Sequence, residues 1–87
     1  MSLKKLNPEK LQLVNDEIKN WSYHRGEANR LEYASMAWFQ AIKQANACYN
    51  IIQTTTGLTN KRMDELLHGK YTLEAFWLPD GTIRKDY

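Results

Sequence analysis

The residues of this chain best suited to chemistry are two histidines, one cysteine and two adjacent carboxylate pairs: His24, His68, Cys48, Asp16–Glu17 and Asp64–Glu65. A thiol beside an imidazole would supply a nucleophile and its base, and a His/Cys/carboxylate cluster would hold zinc. The spacing argues against both. Neither histidine stands with Cys48 in a recognisable nucleophile or metal-ligand pattern. Cys48 itself falls on an apolar helical seam, the setting of a small buried hydrophobe. Neighbouring carboxylates on a helix point in different directions, so neither pair forms one catalytic site. Four scattered glycines build no phosphate loop. The expectation is a protein that is not an enzyme and uses neither a metal nor a cofactor.

Composition narrows the class further. Eighty-seven residues make one domain, 1–87, with room for one core but not for a core and a deep substrate cleft. The formal net charge is +2, with six basic and four acidic side chains in residues 1–30 and five of each in 59–87. The basic face typical of proteins held to DNA by charge is therefore weak. A lone cysteine suits a reducing interior. No apolar run reaches transmembrane length and residues 1–6 lack the apolar core of a signal peptide, so the expected location is cytoplasmic, away from membranes.

The element that must organise everything else is the middle of the chain. Residues 33–60 contain one charged side chain, Lys43, where about seven would be typical of so long a stretch. The stretch has no proline, and Gly57 is its only glycine. Leu31, Ala34, Trp38, Ala41, Ala45, Cys48 and Ile52 follow an unbroken 3-4-3-4 spacing, which predicts a helix–helix seam on a helix over residues 28–54. Before it, Asn7-Pro8-Glu9 is a helix start, and Leu11, Val14, Ile18 and Trp21 form one apolar stripe. Gly26 is placed to end this first helix, predicted over 8–24 with a short turn at 24–27. A second, looser stripe on the central helix, Phe39, Ile42 and Tyr49 with Met36 and Ile51 further round, is left over once the first is packed. An intermolecular contact is its natural place. The expected oligomer interface is accordingly Trp38, Phe39, Ile42, Ala45, Tyr49 and Ile52. The amides Gln40, Gln44, Asn46, Asn50 and Gln53 suit a semi-buried interface, or equally a small polar pocket between subunits.

After Gly57, Thr59 or Asn60 can cap a short third helix with Met63, Leu66 and Leu67 inward, stopped at Gly69. The pattern then changes to period two. Residues 72–78 are rich in strand formers, Leu78-Pro79-Asp80-Gly81 signals a turn, and 82–85 can return, which predicts a C-terminal β-hairpin. Phe76 and Trp77 would then point to opposite faces. Whichever points outward is either shielded in a homodimer or joins Arg84 and Tyr87 in a patch for docking a partner protein.

Residues 49–69, YNIIQTTTGLTNKRMDELLHG, resemble the helix-turn-helix segment of phage-repressor-type DNA-binding proteins. Ile52, Met63 and Leu66 match the motif's apolar positions, Gly57 its turn glycine, and a following hairpin would resemble the small Cro-type repressors. The resemblance implies a dimer presenting Thr59, Asn60, Lys61, Arg62 and His68 to successive major grooves. The chain departs from the motif at Gln53, where a small residue is usual. It also departs in the acidic Asp64 and Glu65 on the recognition face, and in the absence of a break before the motif's first helix. The alternative reading of the same residues is a plain turn between two packed helices.

Together these readings predict an α+β, mostly α fold: a long antiparallel helical hairpin, a short third helix and a C-terminal β-hairpin, assembled as a homodimer or higher oligomer. The expected function is that of a small regulatory or inhibitory binding protein, of a kind that suits a phage or mobile element, acting on a protein partner. A DNA-binding transcription regulator is the alternative.

Overall fold

The computed structural model describes residues 3–84. Two long helices dominate, α1 (Pro8–Arg30) and α2 (Met36–Thr56), followed by a short α3 (Asn60–Leu67) and one 3-10 turn (Leu73–Ala75). α1 begins as its residues dictate. The Asn7 side chain accepts from the Lys10 N–H at 2.7 Å, and Pro8 occupies the first turn, where its missing N–H costs nothing.

α1 does not stop at Gly26. It runs on to Arg30, and the connection lies at residues 31–35, so Leu31 and Ala34 belong to the turn and not to the α2 seam. Ser35 starts α2 by accepting from the Trp38 N–H at 3.1 Å, and Ala34 adopts the left-handed conformation, φ 63°, that reverses the chain. The physical reason is length matching. A turn at 31–35 leaves helices of 23 and 21 residues that pair along their whole length, whereas one at 24–27 would leave much of α2 without a mate. A mid-helix glycine costs about 1 kcal/mol, which burial of Ala28 beyond it offsets.

From Trp38 onward the predicted seam is present. Ala41, Ala45, Cys48 and Ile52 are all buried, and the stripe continues to Thr56. Thr56 is fully buried, with its hydroxyl donating to the Ile52 carbonyl at 2.7 Å and accepting from the Leu58 N–H at 3.3 Å. Gly57 takes φ 76°, ψ 14° and ends α2.

The C-terminal β-hairpin is absent, and the fold is all-α: the described residues contain no β-strand. Leu78 to Gly81 do turn, with the Leu78 N–H donating to the Thr82 carbonyl at 2.8 Å, but the flanks share only one isolated bridge, Trp77 with Ile83. Phe76 and Trp77 explain why. Both are 1% exposed. A strand would send consecutive side chains to opposite faces, and only one side here is dry. The backbone instead coils through the 3-10 turn and delivers both rings to the same core.

That core joins both ends of the chain. Leu6, Val14, Ile52, Leu58, Met63, Leu66, Leu73, Phe76 and Trp77 form one buried cluster at the end of the hairpin where α1 begins and α2 finishes. The Lys4 N–H donates to the Thr56 carbonyl, and the Leu6 N–H to that of Gly81, each at 2.8 Å. Lys4 Nζ also donates to the Thr54 carbonyl at 2.8 Å, setting a cation at the negative end of α2. The molecule measures 45 × 23 × 19 Å.

Candidate interaction surface

α3 settles against the lower part of α2. Asn60 Oδ1 accepts from Gln53 Nε2 at 2.7 Å and from the Tyr49 hydroxyl at 3.4 Å, while Gln53 Nε2 also reaches the Leu58 carbonyl at 3.2 Å. The Tyr49 pKa is raised by burial and then by the nearby Asp64 carboxylate. Gln53, the departure from the helix-turn-helix pattern, thus ties α2, the turn and α3 together. Further along, the His68 ring meets that of Trp21 of α1 in a T-shaped contact, centroids 6.3 Å apart.

The Phe39, Ile42, Tyr49 stripe is consequently covered only in part. Its lower member, Tyr49, faces α3. Beyond that level the hairpin continues as a two-helix arm, closed inside by Ala28, Ala41 and Ala45. On this arm Tyr33 is 79% exposed, Met36 80% and Phe39 55%, with Trp38 and Ile42 half-buried. The rings of Tyr33 and Trp38 lie 4.8 Å apart and those of Trp38 and Phe39 5.1 Å apart, so the three form one continuous aromatic cluster at the tip. Tyr33 was not among the expected interface residues, and Met36 was placed only at the margin of the leftover stripe. Their signal was Ser35, a helix cap that sets Tyr33 in the exposed turn before α2 and Met36 at its first residue.

Of the other expected interface residues, Ala45 and Ile52 are fully buried inside the chain. The two aromatic members of the expected docking patch are not at the surface. Phe76 and Trp77 are core, with Trp77 Nε1 donating to the Lys4 carbonyl at 3.0 Å. Arg84 is half-buried and donates from Nε to the Glu74 carbonyl. Tyr87 lies outside the described residues.

The five residues named for DNA contact are brought together around α3, most of them engaged within the chain. Thr59 accepts from the Arg62 N–H at 3.3 Å, and Asn60 is held as described. Arg62 donates to the Tyr71 hydroxyl at 3.3 Å, sits 5.7 Å from that ring's centre, and lies 3.9 Å from Glu65. His68 Nδ1 is 2.7 Å from the Asp64 carbonyl. Lys61 is exposed. Lys61 and Arg62 are balanced on the same helix by Asp64 and Glu65.

Of the chemistry-bearing side chains, Cys48 meets Glu17 but no histidine. Cys48 is buried, and burial followed by a hydrogen bond donated by the thiol to the neighbouring Glu17 carboxylate pushes it up to about 11, so it is uncharged near neutral pH. No group of three or more His, Cys, Asp or Glu among the described residues could hold a metal ion. No described helix is long and apolar enough to cross a membrane. The amides Gln40 and Gln44 line an open depression of about 240 Å³ with Tyr23, His24, Glu27 and Ala37. No protein-family model, curated protein or solved structure matches the chain.

Proposed function

We propose that this protein is a small non-catalytic binding protein that regulates or inhibits another macromolecule through the two-helix arm. One observation carries the reading. The Tyr33, Trp38, Phe39 cluster and Met36 stand exposed on an arm whose outward α2 face holds a single charge, Lys43. Covering a large apolar side chain yields about 1.5–3 kcal/mol, so a few such residues at the centre of a contact suffice for specific binding. The opposite helix, α1, turns Glu9, Lys10, Asp16 and Lys19 to solvent, the ordinary composition of a wetted face. A photo-crosslinking residue at Phe39, compared in living cells with the same residue at Lys19, tests the role. Adducts to a macromolecule from position 39 and none from 19 are expected. Silence at 39, or equal yields at both, would refute it.

A second reading, DNA binding through α3, draws support from the turn. Gly57 is left-handed, Leu58 is buried and Thr59 caps α3, as a helix-turn-helix requires. The balanced charge of α3 and the internal engagement of Asn60, Arg62 and His68 favour the first reading. DNA binding would appear as a salt-sensitive shift of duplex that Lys61→Glu abolishes, and no shift at low salt with any duplex ends it.

A further inference from the structure

Six outward positions of α2, Met36, Gln40, Lys43, Ala47, Asn50 and Thr54, are all exposed and stand four, three, four, three and four residues apart. That is the spacing of a helix–helix seam, on the side of α2 away from the one packed on α1. The series reads the same in both directions, so an antiparallel copy falls into step with it. We propose that α2 pairs through this stripe with α2 of a second copy, antiparallel about a two-fold axis at the level of residue 45. The inference rests on the binding-protein reading and gives it an assembly.

In this register Met36 meets Thr54 of the second copy, Gln40 meets Asn50 and Lys43 meets Ala47. Side-chain amides both donate and accept, so Gln40 and Asn50 satisfy each other across the contact. With one charge in six, the stripe offers nothing to attract an acidic or basic partner electrostatically. Its match is another uncharged, amide-bearing face, and the same stripe on a second copy has that composition. Isologous contacts demand this kind of self-complementarity. Charge also selects the direction. A parallel copy stacks Lys43 on Lys43, whereas the antiparallel one sets each lysine stem on an alanine methyl and leaves the ammonium at the rim. Opposed helix dipoles favour the same direction.

A standard interface buries about 800 Å² per partner, roughly an eighth of this molecule's 6017 Å². A stripe one helix wide and about 27 Å long falls below that, so the pair is concentration-dependent, with a Kd on the order of micromolar. The arrangement leaves the two Tyr33–Trp38–Phe39 clusters at opposite ends of the dimer, giving it two binding sites.

The test uses the full chain in a Cys48→Ala background. Sedimentation from about 0.05 μM to about 50 μM, spanning the expected Kd, is expected to nearly double the mass. Ala47→Glu, at an exposed helical position, is expected to weaken pairing at least tenfold with unchanged helical circular dichroism. Spin labels on Asn50→Cys and Thr54→Cys read the direction. Antiparallel pairing separates them by about 15 and about 27 Å along the helix axis, while parallel pairing gives the same separation at both. A monomer throughout the range, equal separations at the two sites, or an Ala47→Glu chain that pairs undiminished overturns the proposal. If the purified protein stays monomeric while position 39 still captures another macromolecule in cells, only the pairing fails. If it pairs as described while position 39 captures nothing, only the binding role fails.

Discussion

The indole N–H of Trp77 donates to the Lys4 carbonyl at 3.0 Å, joining residues 73 apart and closing the core over both ends of the chain. Trp77 is therefore a keystone of folding and not a docking residue. Trp77→Ala removes a fully buried ring and leaves the Lys4 carbonyl without that partner. A loss of about 3–5 kcal/mol is expected, read as a lower urea midpoint.

Gly81 governs the same closure. It takes φ 90°, and its carbonyl accepts from the Leu6 N–H at 2.8 Å. A Cβ there would fall inside the Leu6 carbonyl group. Gly81→Ala must break this docking and accept a left-handed backbone, at a cost of about 2 kcal/mol or more. Gly26→Ala is the control. A Cβ at that position meets nothing within 4 Å, and the helix should gain up to about 1 kcal/mol. Thermal melts of the two variants should move in opposite directions.

Stability should fall in alkali through Cys48. Its folded thiol is raised from 9.0 to about 11. Above pH 9 the unfolded chain therefore releases a proton that the folded chain retains, and unfolding is favoured as pH rises. The contribution is complete below pH 9 and is lost as pH passes through about 11. Urea titrations near pH 8 and pH 10.5 should show a smaller drop for Cys48→Ala than for the unmodified chain. Tyr49→Phe controls for the tyrosine, which is raised in the same direction.

The arm tip should be dispensable for folding. Met36 and Phe39 are 80% and 55% exposed, so the double variant Met36→Ser/Phe39→Ser should melt within a few degrees of the parent. On the proposed binding role, its yield of crosslinked complexes with another macromolecule should drop at least tenfold, equivalent to about 1.4 kcal/mol or more.

Some of this was readable from residue types and some was not. The seam from Trp38 to Ile52 was legible because alanine and cysteine at three-four spacing have one physical use, close helix approach. The turn was misplaced because Gly26 carries the usual stop signal, whereas Ala34, which reverses the chain at φ 63°, carries none. At the C-terminus the β-forming composition of residues 72–78 pointed to a strand. The need to bury Phe76 and Trp77 on one side overrode it. The leftover stripe was legible in part. Phe39 stands exposed and Ile42 half-buried on α2, but the lower end of the stripe belongs to α3 through Tyr49 and Asn60, a pairing that residue spacing within one helix does not reveal.

Methionine oxidation addresses the central claim, that the outward face of α2 is a contact surface, most directly. Met36 stands 80% exposed and Met63 is fully buried, so in dilute purified protein peroxide should oxidise Met36 far faster than Met63. In the protein's native cellular setting Met36 should be protected several-fold while Met63 is unchanged. Oxidation of Met36 at the same rate in both settings would mean that nothing covers the arm, and would contradict the account.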